Sequence, residues 1–178
     1  GFNSITTPDG SNLTAVGNAG KVYRSVNGGV SWSSYINGLA DLNSVTSFGN
    51  DVWIASDNGN VLKTLKTHSA ISTYNTGSVN NLNSVYFIDA NTGFACGDAG
   101  SVYKTVNGGV NWTSSNTGIA SVKLNSVSFD NASTGTVVGN NGAIYKTVDG
   151  GASWVSQVSG TTRNLLKQLR LIESKFIN

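Results

Sequence analysis

The chain has 178 residues, of which 38% are hydrophobic and 11% charged, and its formal net charge at pH 7 is +2. Ordinary globular proteins carry about 25% charged residues, so glycine, asparagine, serine and threonine take the place of much of the usual charge. Such a small net charge gives no basis for binding nucleic acid or an anionic membrane. No apolar run approaches the ~20 residues of a membrane-spanning helix.

A repeat of about 40 residues runs through the chain from its beginning. Each copy opens with an Asn-Ser-Ile or Asn-Ser-Val triplet, at residues 3–5, 43–45, 83–85 and 125–127. A second apolar segment follows, and then a turn of Asn, Asp and Gly that favours a β-hairpin, because these residues accept positive φ. A third segment alternates apolar and polar residues. A fourth segment begins at Trp32, Ile71, Trp112 or Trp154.

These four segments predict a four-stranded antiparallel meander in every copy. One such sheet cannot bury both of its faces alone, so neighbouring copies must stack, as the blades of a β-propeller do. We therefore predict an all-β fold, a β-propeller of four-stranded antiparallel blades. The chain holds four predicted blades, at about residues 1–39, 40–79, 80–121 and 122–160, and a C-terminal tail at 161–178.

The hairpin between the third and fourth segments carries the most specific pattern of the repeat. Its Asn or Asp side chain satisfies backbone N–H groups across the turn, its glycines permit positive φ, and its Trp packs between neighbouring blades. The predicted structural residues of three such hairpins are Ser25, Asn27, Gly29, Trp32, Thr105, Asn107, Gly109, Trp112, Thr147, Asp149, Gly151 and Trp154.

This hairpin resembles the Asp-box, or bacterial neuraminidase repeat, with the pattern Ser/Thr-x-Asp-x-Gly-x-Thr/Ser-Trp. The whole repeat, over residues 1–160, resembles the photosystem II assembly-factor-like family of propellers. Relatives of that type include repeat segments of secreted and surface proteins of Bacteroidetes-like bacteria. The resemblance implies a propeller, and its assembly-factor members imply a protein partner bound through a basic patch. The Asp-box is a folding motif, so it implies no catalytic role.

The second copy departs from this hairpin pattern, because residues 64–71 contain no Asp, Gly or Trp. We interpret the difference as drift in a tolerant turn. The alternative is a specialised loop around His68.

The tail after Gly160 no longer follows the repeat. Apolar residues three and four apart over 165–177 predict a short amphipathic helix, whereas Leu169 and Leu171 around Arg170 also fit the first strand of a further blade. An open four-blade array would expose apolar faces at both ends. Three arrangements remain: the chain closes on itself, the tail covers one end, or a second copy completes the ring. A head-to-tail contact that does not close would give a filament.

Catalysis is not expected from this sequence. Asp-box sialidases use an arginine cluster and a Tyr–Glu pair, but here the arginines are Arg24, Arg163 and Arg170, and the single Glu173 is in the tail. A two-carboxylate glycosidase would have to use aspartates at turn positions, where Asp commonly bonds the backbone. Those aspartates are Asp41, Asp51, Asp57, Asp89, Asp98 and Asp130.

Metal and cofactor sites are not expected either. His68 is the single histidine and Cys96 the single cysteine, which leaves no metal-binding cluster and no intrachain disulfide. Cys96 falls in a predicted strand, where we interpret it as a small buried hydrophobe. We predict no catalytic, cofactor-binding or metal-binding residue.

The sequence therefore predicts a non-catalytic extracellular interaction or self-assembly module, forming rings, filaments or part of a surface structure. Its predicted partner is another copy or another extracellular protein. One alternative is a carbohydrate-binding propeller that uses its Asn-, Ser- and Thr-rich surface. The other is an assembly factor that binds a protein partner. The predicted location is secreted or on a bacterial cell surface, with Gly1 interpreted as a terminus left by signal-peptide cleavage.

Overall fold

The computed structural model of the chain describes residues 1–36, 38, 40–67, 70–116 and 118–166. These residues form four antiparallel sheets of four strands each, and the strands follow chain order within every sheet. The predicted all-β fold of four-stranded antiparallel meanders is therefore confirmed. None of the described residues forms a helix long and apolar enough to cross a membrane.

The sheets are numbered 1 to 4 along the chain. Sheet 1 contains β1 (Phe2–Thr6), β2 (Leu13–Gly17), β3 (Lys21–Ser25) and β4 (Ser33–Ile36). Sheet 2 contains β5 (Leu42–Phe48), β6 (Asp51–Ser56), β7 (Asn60–Leu65) and β8 (Ser72–Asn75). Sheet 3 contains β9 (Leu82–Phe87), β10 (Gly93–Gly97), β11 (Val102–Thr105) and β12 (Thr113–Ser114). Sheet 4 contains β13 (Leu124–Phe129), β14 (Gly135–Gly139), β15 (Ile144–Thr147) and β16 (Val155–Ser156).

Alternation along the strands gives each inner sheet two buried faces. In β6, Val52 and Ile54 pack toward sheet 1, whereas Trp53 and Ala55 pack toward sheet 3. Successive side chains of a strand point to opposite faces, so a run of apolar residues serves two interfaces at once. The sheets consequently stack in chain order, sheet 1 on sheet 2, sheet 2 on sheet 3, and sheet 3 on sheet 4.

Two of the three interfaces contain a cluster of three aromatic rings. Between sheets 2 and 3, Trp53 stacks on Phe87 with ring centroids 3.7 Å apart, and Trp112 meets Phe87 edge-on at 6.0 Å. Between sheets 3 and 4, Phe94 stacks on Phe129 at 3.9 Å, and Trp154 meets Phe129 edge-on. The buried hydrophobic core of the interface between sheets 1 and 2 is aliphatic instead. Its buried residues are Val16, Val22, Leu42, Val45, Val52, Ile54 and Leu62.

The turns between second and third strands use left-handed backbone at two successive residues. Asn58 and Asn141 have φ of 59° and 57°, and Ala19 and Ala99 take the same conformation with φ of 55°. A glycine with positive φ follows each of them. Asn adopts this region readily, whereas alanine pays a steric cost there. The Asn/Asp-Gly turns predicted from the sequence are thus present, with strain at the two alanines.

The tail begins like another repeat. The Asn125 amide donates to the Leu165 carbonyl (2.9 Å), as Asn3, Asn43 and Asn83 donate to Leu42, Leu82 and Leu124. Gly142 N–H donates to the Arg163 carbonyl, as Gly100 N–H does to that of Val122. Residues 163–165 therefore stand where the next sheet would begin. The predicted helix or strand over 165–177 lies outside the described residues after Leu166, and so does His68 in the second copy.

Candidate functional site

The three predicted hairpins are held by their own side chains. In the first, the Ser25 hydroxyl donates to Asn27 Oδ1 (2.9 Å) and accepts from Gly29 N–H (2.8 Å). Asn27 Oδ1 also accepts from Ser31 N–H at 2.9 Å, and the Trp32 indole donates to the Gly29 carbonyl at 2.9 Å. Every one of these bonds ends on the hairpin itself. The motif residues therefore hold a tight turn in place and leave little polar capacity for a ligand.

The third and fourth sheets repeat this arrangement with small differences. Thr105 with Asn107 and Thr147 with Asp149 make the same hydroxyl–carboxamide or hydroxyl–carboxylate bonds, at 3.0 and 2.7 Å. The Trp154 indole, however, donates to the carbonyl of Ser115, the residue directly after β12 of sheet 3, at 2.7 Å. The fourth hairpin is consequently bonded directly to its neighbouring sheet.

Asp149 is the one carboxylate of these three motifs, and its surroundings favour the ionised form. The Ser153 hydroxyl and N–H and the Thr147 hydroxyl donate to it and hold its pKa well below the usual range. Asn27 and Asn107 occupy the equivalent positions without a charge. Since an amide replaces the carboxylate in two hairpins, the position requires an acceptor oxygen and no proton transfer.

The other aspartates considered for catalysis also bind turns or neighbouring strands. Asp41 accepts from Ala19 N–H (2.9 Å), and Asp57 accepts from the Asn43 amide (2.8 Å). Asp89 accepts from two N–H groups of its own loop, which lowers its pKa. Asp51 forms an ion pair with Lys63 at 3.0 Å. Asp98 forms an ion pair with Lys123 at 3.3 Å and accepts a hydrogen bond from the Asn83 amide at 3.0 Å. Asp130 also has an interaction partner. The described residues contain no cluster of three His, Cys, Asp or Glu side chains placed to hold a metal ion.

The asparagine of each triplet joins two sheets, a role that the sequence analysis did not identify. It is the extra residue of a β-bulge, since Leu42 pairs with Ser56 and Ser44 with Ala55 while Asn43 is skipped. The bulge turns its side chain toward the next sheet, where Asn43 Nδ2 donates to the Leu82 carbonyl at 2.9 Å. The following serine accepts an N–H from the same neighbour, as Ser84 Oγ does from Val127 at 3.3 Å. The signal was the Asn-Ser pair itself, repeated at a strand position where alternation does not require two polar residues.

Two polar groups are buried without full hydrogen bonding between sheets 1 and 2. Arg24 is 6% exposed and donates from Nη2 to Thr64 Oγ1 at 3.0 Å, while its Nε has no partner among the described residues. The Tyr35 hydroxyl, whose ring lies 5.8 Å from the guanidinium, is likewise buried without a partner there. Burial lowers the pKa of Arg24 and raises that of Tyr35. Cys96 is also fully buried, and burial raises the pKa of its thiol.

The outer face of sheet 1 is an open apolar groove, which we call the open face. It has a volume of about 740 Å³ and is lined by Phe2, Asn3, Ser4, Ile5, Ala15, Tyr23 and Trp32. Phe2 and Ile5 are 67% and 58% exposed, and Phe2 meets Tyr23 edge-on at 4.9 Å. Apolar side chains in such a continuous patch commonly mark an interaction surface.

Comparison with known proteins connects this architecture to one family. The model of the family described as photosynthesis system II assembly factor YCF48 matches residues 63–159. No curated protein matches the chain in sequence.

Solved structures give the same fold. YCF48 bound to a D1 peptide is 13% identical, with a TM-score of 0.58 over 88% of this chain and 82% of that one. YCF48 from Cyanidioschyzon merolae is 19% identical, with a TM-score of 0.72 over 93% of this chain, which spans only 59% of that structure. An ancestral GH74 enzyme is also 19% identical, with a TM-score of 0.70 over 86% of this chain and 23% of the enzyme. The predicted β-propeller is confirmed by these likenesses.

These comparisons bear on the predicted location and on the choice between the predicted functions. The predicted secreted or cell-surface bacterial location is wrong, because the matching family is described as a photosynthesis system II assembly factor. A low content of charged residues does not by itself distinguish one location from another. The family also supports the assembly-factor alternative better than extracellular self-assembly. Neither self-association nor glycan binding has support among the matches.

Proposed function

The chain belongs to the photosynthesis system II assembly factor YCF48 family, and from this premise we propose that it is a non-catalytic module that binds a segment of a protein partner. The family match over residues 63–159 carries this proposal. The similar structure of YCF48 bound to a D1 peptide suggests the form of the ligand, a peptide segment.

The geometry supports binding and gives the aspartates structural roles. The sheets are fixed to one another by the Asn and Ser bonds of the triplets and by the aromatic clusters, so the loops at both ends of the stack have rigid supports. Binding residues are commonly placed on loops held by such a frame. The aspartates, in contrast, accept hydrogen bonds or ion pairs from turns and neighbouring strands, which favours structural over catalytic roles.

We further propose that the three hairpins with Ser or Thr, Asn or Asp, Gly and Trp are Asp-boxes with a folding role. Their hydroxyl and amide or carboxylate groups are satisfied within the hairpin. In this proposal each repeat, at about residues 1–39, 40–79, 80–121 and 122–160, is one blade, and the sheets lie inside these limits.

A peptide-binding titration tests the proposed function. The folded chain is titrated into a fluorescently labelled D1-derived peptide, with a scrambled peptide of the same composition as the matched control. We expect saturable anisotropy with the D1-derived peptide and a clearly weaker response with the scrambled one. Equal responses for the two peptides would contradict sequence-dependent segment binding. Glycan-array binding without peptide binding would favour the carbohydrate alternative instead.

A further inference from the structure

The sequence contains five Asn-Gly pairs, and the structure describes both residues of four of them, Asn27–Gly28, Asn58–Gly59, Asn107–Gly108 and Asn141–Gly142. Asparagine is a thermolabile residue. A following glycine increases this lability, because it has no side chain to hinder the approach of its own nitrogen to the asparagine side chain. The attack requires a glycine N–H that can give up its proton. A hydrogen bond that holds this N–H opposes the attack, so the partner of each glycine N–H distinguishes the four pairs.

The two pairs in the hairpins are held at both reacting groups. Gly28 N–H donates to the Ser11 carbonyl at 2.9 Å, and Gly108 N–H donates to the Asn91 carbonyl at 2.8 Å. The side chains of the two preceding asparagines are also bonded within their own hairpins. The hairpin therefore protects two pairs that are labile by sequence.

The Asn58–Gly59 and Asn141–Gly142 pairs form a matched comparison in the turns of sheets 2 and 4. Both asparagines are exposed and have φ of 59° and 57°, and both glycines are buried and have φ of 67° and 70°. Neither asparagine side chain has a hydrogen-bond partner among the residues that the structure describes. Backbone conformation and exposure are thus nearly the same at the two sites.

The two turns differ at the glycine N–H. Gly142 N–H donates to the Arg163 carbonyl at 2.8 Å. The equivalent glycines of sheets 1 and 3 donate in the same way to the carbonyls of Ala40 (2.8 Å) and Val122 (2.7 Å). Gly59 N–H, in contrast, has no hydrogen-bond partner among the described residues. Its proton is therefore the one that a base in solution removes without first breaking a bond.

From this difference we propose that Asn58 is a site of spontaneous deamidation, and that it reacts first among the described Asn-Gly pairs of the folded chain. Gly59 N loses its proton to a base in solution and attacks Asn58 Cγ. The new C–N bond closes a succinimide ring, and Nδ2 leaves as ammonia. Water then opens the ring. Cleavage between Gly59 N and Cγ gives aspartate, and cleavage between Gly59 N and the main-chain carbonyl carbon gives isoaspartate. The net reaction consumes one water and releases one ammonia, and it is independent of peptide binding.

The modification acts on the join between sheets 2 and 3. Asn58 N–H donates to Asn81 Oδ1 at 3.2 Å, directly before the first strand of sheet 3, and the Asn58 carbonyl accepts from the Asn75 amide at 3.2 Å. Isoaspartate routes the main chain through the former side chain and lengthens it by one carbon between these two groups. Both products also place a new carboxylate next to Asp57, and like charges repel. We therefore expect the modified chain to be less stable than the unmodified one.

Peptide mapping by mass spectrometry measures the conversion. The full chain is incubated at mildly alkaline pH and sampled over several days. A gain of one mass unit gives the modified fraction at all four sites in the same sample, and chromatography separates the aspartate and isoaspartate products. The chain unfolded in guanidinium chloride is incubated in parallel and reports the reactivity that the local sequence alone confers.

We expect Asn58 to react about two- to tenfold faster than Asn141 in the folded chain, which is the net effect of one hydrogen bond. Asn27 and Asn107 should react more slowly still, and unfolding should bring the four rates closer together. Modification of Asn141, Asn27 or Asn107 as fast as that of Asn58 in the folded chain would overturn the proposal. So would an Asn58 that stays unmodified in the folded chain while it reacts in the unfolded one.

Two variants connect the chemistry to stability. Asn58→Asp has no amide to lose at this turn, and Asn141→Asp is the matched control at the protected one. The urea midpoint of the wild type and of Asn141→Asp should fall with incubation, whereas that of Asn58→Asp should stay constant. An equal fall in all three proteins would show that another site causes the loss and would contradict the proposed effect of Asn58 on the join.

Discussion

Replacing Asn83 by alanine should weaken the join between sheets 3 and 4. The Asn83 amide donates to the Leu124 carbonyl at 2.8 Å and to Asp98 Oδ1 at 3.0 Å. A protein hydrogen bond contributes about 0.5–1.5 kcal/mol net. The Asp98 side chain is 35% exposed, which moves its bond to the low end of that range. We therefore expect the free energy of unfolding to fall by about 1–2 kcal/mol.

Urea unfolding followed by tryptophan fluorescence measures this loss. The midpoint should fall with the slope unchanged, because the substitution alters stability and not the surface exposed on unfolding. Asn91→Ala, in an exposed loop, is the control and should leave the midpoint within error. Hydrogen exchange should quicken in β13, which begins at the bonded Leu124. A loss below about 0.3 kcal/mol with unchanged exchange would refute the reasoning that the bulged asparagines join the sheets.

Three further predictions concern single side chains. Ala99→Asn should raise the free energy of unfolding by roughly 0.5–1 kcal/mol, because alanine is strained at φ 55°, and Asn141→Ala should lower it comparably; equal urea midpoints for all three proteins would contradict this. Arg24→Met should raise stability by about 1–2 kcal/mol, since it removes a buried guanidinium that is not fully bonded; a lower melting temperature in calorimetry would show that the bond to Thr64 dominates. Asp149→Asn should be less stable than the wild type at pH 7, and the difference should shrink as the pH falls below about 4. The folded-state pKa of Asp149 is depressed, so the carboxylate's contribution to stability is complete above its unfolded-state pKa and is lost as the pH falls through its folded-state pKa. A stability difference between the two proteins that does not change with pH in denaturation curves would contradict this prediction.

Much of the fold follows from local patterns in the sequence. The Asn/Asp-Gly turns and the alternation in β3 and β11 indicate strand order, because neighbouring strands joined by short turns must pair. The packing of Trp112 and Trp154 between sheets also follows from the hairpin pattern, since burial of a large apolar ring is favourable wherever a neighbouring sheet is present. Trp32 carries the same motif yet stays 42% exposed, because burial there depends on a neighbour that the pattern does not supply.

The parts that sequence reasoning missed depend on contacts between repeats. The Asn-Ser pair marks the repeat, but its bulge and its bonds to the next sheet arise only when two sheets stack. The alternating pattern of β3 predicts an ordinary polar position at Arg24, although its side chain is buried against sheet 2. Residues that pack the sheets together carry no information on location or partner, so composition and resemblance are the only basis for predicting a secreted protein.

Calorimetric titration of the folded chain with the D1-derived peptide tests the proposed function most directly. We expect saturable heats that fit one peptide per chain, and heats of dilution only for the scrambled peptide. Indistinguishable heats for the two peptides would contradict the claim that this propeller binds a segment of a protein partner.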